Sequence, residues 1–186
     1  HRHPVIEQTL EASFTPNTIE VEKGECLLLT GPNMAGKSTL MRQVAISILM
    51  AQMGSFVPAE KATLPLFKSI YTRIGASDSL AEGLSTFMVE MKETAEMIQS
   101  VTSDSFVILD EVGRGTSTYD GMSLAQAILE HLVEELKPTV FFATHYHELT
   151  HLDREHPQIH NAHMKIVENQ GEIQFLHTLE KGPANK

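Results

Sequence analysis

The stretch Gly31-Pro32-Asn33-Met34-Ala35-Gly36-Lys37-Ser38 decides how the rest of this chain is read. It fits the phosphate-binding loop pattern, in which a glycine and four free positions precede Gly-Lys-Ser. The glycines let the backbone curl so that successive N–H groups face an anion at a helix N-terminus. Lys37 then supplies a point charge to the β- and γ-phosphates, and Ser38, with Thr39 beside it, offers a hydroxyl where Mg²⁺ would sit. The whole run from Gly31 to Thr39 is the candidate nucleotide site, and the ligand it predicts is a nucleotide with its metal.

Working outward, the loop has the context its chemistry needs. Residues 26–30 (Cys-Leu-Leu-Leu-Thr) read as a buried strand, and 36–53 as a helix. That helix has apolar residues at 41, 44, 45, 48 and 49, and further apolar residues predict burial nearly all round. Segments 68–74, 106–109 and 139–144 read as further strands. An amphipathic helix is predicted over 87–100, with Met88, Met91, Ala95 and Ile98 inward and Glu90, Glu93 and Glu96 elsewhere. Another is predicted over 121–136, with Ala125, Ile128, Leu129, Leu132, Val133 and Leu136 inward. Segments 162–167 and 172–177 flank Asn169-Gln170-Gly171 and predict a hairpin. Strands alternating with helices make a single α/β domain, a sheet covered by helices.

Two strand ends carry chemistry. Phe106-Val107-Ile108-Leu109 delivers Asp110 and Glu111, the first suited to hold Mg²⁺ and the second to polarise an attacking water. The next apolar strand ends in Thr144-His145, where a His can sense a γ-phosphate. Eight of the ten histidines lie between 131 and 177, but no carboxylate or Cys completes a recognisable ligand spacing among them. His147, His151, His156 and His160 therefore read as exposed or hydrogen-bonded.

Composition sets the outer bounds. The net charge is −10, and both halves are acidic: 8 Lys and Arg against 11 Asp and Glu in residues 1–100, 6 against 13 in the rest. A surface devoted to nucleic acid or anionic lipid would need the opposite sign. The single Cys26 rules out an internal disulfide framework and a Cys-rich zinc site. The longest stretch without a formal charge, 43–59, contains Gln52, Gly54, Ser55 and Pro58, so no membrane span is predicted. A reducing cytoplasmic setting is the expectation, and the missing initiator Met suggests a piece of something larger.

A GTPase would show an Asn-Lys-x-Asp guanine reader, an ABC transporter a Leu-Ser-Gly-Gly-Gln signature, and a small-molecule kinase lid arginines; none stands out. The region before the Asp-Glu strand reads Gly83-Leu84-Ser85-Thr86-Phe87-Met88-Val89-Glu90-Met91. After that strand come Val112-Gly113-Arg114-Gly115-Thr116-Ser117-Thr118-Tyr119-Asp120-Gly121 and, later, Ala143-Thr144-His145-Tyr146. With the phosphate loop, these closely resemble the ATPase domain of the MutS DNA mismatch repair family over nearly the whole chain.

The resemblance implies a P-loop NTPase of the ABC-ATPase type over 1–186, with a mostly parallel central sheet flanked by helices and peripheral antiparallel strands. It implies ATP and Mg²⁺ as cofactors and composite sites shared with a second copy of the domain. Ser85 and Thr86 would serve the partner's γ-phosphate, and Arg114, Thr116, Ser117 and Asp120 would line the dimer interface. Phe14 and His163 would stack on adenine, while Lys37, Glu111 and His145 would be the catalytic set. Mismatched DNA and a downstream repair factor such as MutL would be partners through regions outside this segment. Two departures stand out: His1 where the family has Gly, and Leu84 where a polar residue is more usual. An alternative function is a nucleotide-dependent assembly module with little turnover alone, or an ABC-type ATPase of another DNA-processing complex.

Overall fold

The computed structural model describes residues 1–11, 13–74 and 86–184. A short helix α1 (Ile6–Thr9) precedes β1 (Cys26–Thr30), α2 (Lys37–Gln52), β2 (Ser69–Arg73), α3 (Thr86–Ser100), β3 (Ser105–Asp110) and α4 (Thr118–His131). A wide π-type turn, Leu132–Leu136, leads to β4 (Thr139–Ala143), and a 3₁₀ segment, His147–Arg154, leads to the hairpin of β5 (Ile159–Asn169) and β6 (Glu172–Lys181). The strands form one six-stranded sheet in the order β2-β3-β4-β1-β5-β6. Every neighbouring pair is parallel except β5 and β6. The mixed α/β architecture and the terminal hairpin follow the sequence expectation.

The central strands are apolar throughout because helices cover both faces. Cys26, Leu28, Val107, Leu109, Val140 and Phe142 face α4, the π turn and the 3₁₀ segment, meeting Ala125, Leu129, Leu132, Leu149 and Leu152. Their alternates Leu27, Leu29, Phe106, Ile108, Phe141 and Ala143 face α2, meeting Leu40, Met41, Val44 and Ile48. Helix α2 is largely buried as expected, but Leu49 is 49% exposed.

Two helices differ from their predicted form. Helix α4 begins earlier than 121, because Ser117 caps it by accepting from the Asp120 N–H at 3.3 Å. It ends in the wide turn, where Lys137 N–H bonds Leu132 O at 2.7 Å and Lys137 adopts φ 55° ahead of Pro138. In α3 the inward stripe is Glu90, Thr94 and Met97, flanked by Met91 and Ile98, whereas Met88 is 60% exposed and Ala95 is also exposed. The helix is rotated from its predicted setting because the Glu90 carboxylate has a backbone partner inside. No described helix is long and apolar enough to cross a membrane.

Strand register positions the site. Leu29 pairs with Ala143, and Ala143 with Asp110, so the ends of β1, β4 and β3 lie level across the sheet. The phosphate loop leaves β1 at that level, and Glu111 and Thr144 follow β3 and β4. Their backbone N–H groups extend the ladder, Glu111 to Ala143 O at 2.8 Å and Thr144 to Leu29 O at 2.9 Å.

Candidate nucleotide-binding cleft

A cleft of about 960 Å³ opens over these strand ends. It is lined by Pro32, Asn33, Met34, Gly36, Lys37, Ser38 and Thr39 of the loop and by Asp110, Glu111 and Arg114 beyond β3. Phe14 and His177 line it as well, as do Thr86, Val89, Glu90 and Glu93 of α3. Gly31 and Gly36 have φ of 126° and 100°, and Met34 also takes a left-handed φ of 72°. Gly36 has a second reason to be glycine: a Cβ there would meet His177 Nδ1 at 3.2 Å.

Lys37 is buried, and its Nζ donates to Gly31 O across the mouth of the loop. Burial holds its ammonium below the usual lysine range, while Glu111 and Asp110 pull the other way. Ser38 Oγ donates to Asp110 Oδ2, joining residues 72 apart in sequence. The two strands involved, β1 and β3, stand about two strand spacings, or roughly 10 Å, apart with β4 between them. The first turn of α2 closes that gap. Burial pushes the Asp110 carboxyl above its usual range; the Ser38 hydrogen bond opposes the rise and nearby Glu111 adds to it.

The donor set fits a hard divalent cation. Asp110 Oδ1 is buried without a hydrogen-bond partner, beside an Oδ2 already held by Ser38. A carboxylate oxygen and a hydroxyl next to a phosphate cradle are what Mg²⁺ coordinates, with water and phosphate completing its shell.

Glu111 sits at φ 54°, an unfavourable backbone setting for a non-glycine residue and one that recurs at functional sites. Its Oε2 is paired with Arg114 Nη1 at 2.9 Å. The loop that follows is fixed from two sides at Gly113: its N–H donates to the buried Glu90 Oε1 at 3.0 Å, and its carbonyl accepts from Tyr146 Oη at 3.1 Å. Gly113 also lies against Gly121, where a Cβ would come within 2.2 Å of Gly113 O and 2.3 Å of Tyr146 Oη. Burial pushes the Glu90 carboxyl up, against the Gly113 hydrogen bond.

The other expected site residues are placed as follows. Ala35 is buried under the loop, and its carbonyl lies 3.3 Å from His177 Nδ1. Arg114 is exposed and lines the cleft, whereas Thr116, Ser117 and Asp120 lie outside its lining at the start of α4. Thr86 lines this chain's own cleft. Ser85, Leu84 and Gly83 lie outside the described residues. His145 is exposed and outside the lining, its ring 4.2 Å from that of Tyr146.

His163 is likewise outside the lining, held by Gly182 O at 2.8 Å and facing Glu180 at 3.5 Å. The histidine that lines the cleft along with Phe14 is His177. Register slips between Met164 and Ile166, and His177 takes φ 53° on the bulged partner strand, which re-aims its ring towards the loop. A hairpin pattern that ends at His177 carries no sign of that bulge. Asn17 ties the N-terminal segment to the same strand, donating to His177 O and accepting from Leu179 N–H, each at 2.8 Å. Glu90, too, is invisible to periodicity, which sorts glutamates outward.

Comparison with known proteins agrees with the family resemblance. Residues 27–186 match the family described as MutS domain V. The chain is 55% identical over its full length to the DNA mismatch repair protein MutS of Lactococcus lactis subsp. cremoris, 22% of which it covers. It is 57% identical to that of Desulfitobacterium hafniense, again over its full length and 22% of the relative. For Geobacillus kaustophilus the identity is 53%, over 21% of the relative. The chain thus spans about a fifth of the length of the curated relatives it matches. On the family match and these identities, the chain belongs to the MutS family, and residues 27–186 are its domain V.

Proposed function

We propose that this domain is a Mg²⁺-dependent ATPase of the P-loop, ABC type, and that its turnover drives the conformational cycle of a clamp on mismatched DNA. The observation that carries the reading is the meeting of Lys37, Ser38, Asp110 and Glu111 at one cleft mouth, under a loop whose backbone is curled to face an anion. The repair role rests on the relatives, each a DNA mismatch repair protein.

Lys37 leaves Gly31 O for the β- and γ-phosphate oxygens, and the loop N–H groups take the remaining phosphate charge. Ser38 and Asp110 would hold magnesium, which when bound would neutralise charge on the phosphates. Glu111 orients a water and accepts its proton as the water oxygen bonds the γ-phosphorus; the bond to the β–γ bridging oxygen breaks, giving ADP and inorganic phosphate. Phe14 and His177 flank the space for the base. His145 senses the γ-phosphate from the end of β4 once its ring leaves Tyr146. In a dimer of two such domains, Ser85 and Thr86 reach the partner's γ-phosphate, and Arg114, Thr116, Ser117 and Asp120 form the interface. Mismatched DNA and the repair factor MutL engage other parts of the full protein.

One observation favours a second reading, an assembly module with little turnover alone: Glu111 is occupied by Arg114. ATPase rate per chain, measured against protein concentration, separates the two. A rate that climbs with concentration supports the composite ATPase, absence of turnover at every concentration supports the assembly module, and a high concentration-independent rate refutes the dimer mechanism. Glu111→Ala is expected to abolish hydrolysis while keeping ATP binding; retained hydrolysis refutes its role.

A further inference from the structure

Away from the cleft, where the sheet's parallel strands begin, His156 lies just before β5 against the last turn of α4. It is 8% exposed, and it is enclosed by carboxylates. Glu130 of α4 brings Oε1 to 3.6 Å from His156 Nε2, and Glu134 of the π turn brings Oε1 to 3.5 Å from Nδ1. Glu155 precedes it in the chain. One ligand atom from each of Glu130, Glu155 and His156 lies within 4.8 Å of the others, the only such group of three among the described residues.

We propose that Glu130, Glu155 and His156 form a binding site for a transition-type divalent cation, zinc being the best match. The ring's two nitrogens face different carboxylates. In the tautomer whose Nδ1 proton faces Glu134, 3.5 Å away, the Nε2 lone pair is turned towards Glu130 and open to a cation. Nε2 is buried and has no hydrogen-bond partner. A lone pair facing a carboxylate is repulsive unless a cation stands between them. One imidazole and two carboxylates suit zinc better than magnesium or calcium, which take oxygen donors.

The spacing is close to what a cation needs. Bond lengths of about 2.0–2.2 Å in a tetrahedron put ligand atoms roughly 3.4 Å apart. The Nε2 to Oε1 pair is already at 3.6 Å, and exposed Glu155 has the freedom to close the rest. Three protein ligands leave a fourth position to water. Glu130 also accepts from Gln126 Nε2 at 3.2 Å, which holds the carboxylate in place. The cation would clip the end of α4 to the segment entering β5, far from the phosphates, and it would relieve repulsion among Glu130, Glu134 and Glu155.

The test uses the 186-residue chain, free of nucleotide, titrated with zinc chloride by calorimetry. Wild type, Glu155→Gln, His156→Gln and, as a control for other histidines, His147→Gln are compared. The expectation is one site per chain that His147→Gln retains and that Glu155→Gln and His156→Gln each weaken about 10- to 100-fold. Cobalt substitution gives a second readout, a visible absorption band lost in the same two variants. If His156→Gln fails to fold, the exposed Glu155 variant decides. Zinc binding unaltered by Glu155→Gln, or no binding by wild type at micromolar zinc, overturns the proposal. A histidine that merely pairs with its carboxylates when protonated would give that last result.

Discussion

Glu90 offers the sharpest test of how the cleft is held together. Its carboxylate is buried and accepts from the Gly113 N–H at 3.0 Å, so α3 grips the loop two residues past Glu111. Glu90→Ala leaves a buried N–H without an acceptor, which costs about 1–3 kcal/mol. Some of that is offset, because removing a carboxylate from a dry site relieves its desolvation. Glu90→Gln keeps an oxygen acceptor of the same shape and removes the charge, so its loss should be under about 1 kcal/mol at neutral pH. Urea unfolding followed by circular dichroism measures both. The sign with pH is fixed by the raised carboxyl: a folded-state pKa above the ordinary 4.5 means stability is greatest below that value and falls as pH rises through the raised one. Glu90→Gln should flatten that decline. An alanine variant as stable as wild type, or a glutamine variant weaker than the alanine one, would refute the reasoning.

Further expectations follow from the same geometry. Gly121→Ala drives a methyl group into Gly113 O and Tyr146 Oη and should cost about 1–3 kcal/mol or more by urea melt. Lys37→Ala should abolish ATP binding, seen by fluorescent-nucleotide titration, while leaving the fold intact. Asp110→Asn should lower stability more at acid pH than at neutral pH, because burial raises the native carboxyl and makes its charged form the costly one that Asn avoids, and it should abolish the gain in thermal stability that Mg²⁺ gives with ATP. Asn17→Ala removes two bonds to β6 and should weaken nucleotide affinity through Phe14 and His177 without touching hydrolysis of bound ATP.

What the sequence makes legible is what local rules govern. The turn from β1 into α2 is readable because its glycines sit at fixed offsets where the backbone takes positive φ, and the central strands are readable because double-sided burial writes unbroken apolar runs. Asp110 is readable as the polar end of such a run. Glu90 and His177 are not, for different reasons. Glu90 is inward because a distant backbone N–H needs an acceptor, and no helical period encodes that demand. His177 reaches the cleft through a register slip that alternation along β6 does not encode, and the histidine the family resemblance implied, His163, lies outside the lining. His156 is hidden likewise, since its carboxylates come from 22 and 26 residues upstream as well as from the adjacent position. The reading of α3 failed for the same cause as that of Glu90: apolarity alone set the stripe.

The contacts that close the cleft have a consequence for how such a chain acquires function as it is made. Asn17 bonds across 160 residues to β6, and Ser38 across 72 to Asp110. A nascent chain that has completed the Gly31–Ser38 loop therefore lacks Asp110, the partner of Ser38, and one that has completed β3 still lacks the strand carrying His177. Loop-closure entropy must be met before any of these contacts forms, which places them late in folding. The assembled cleft thus arrives only with the β5–β6 hairpin, and a chain that has reached only β3 carries its two halves unjoined.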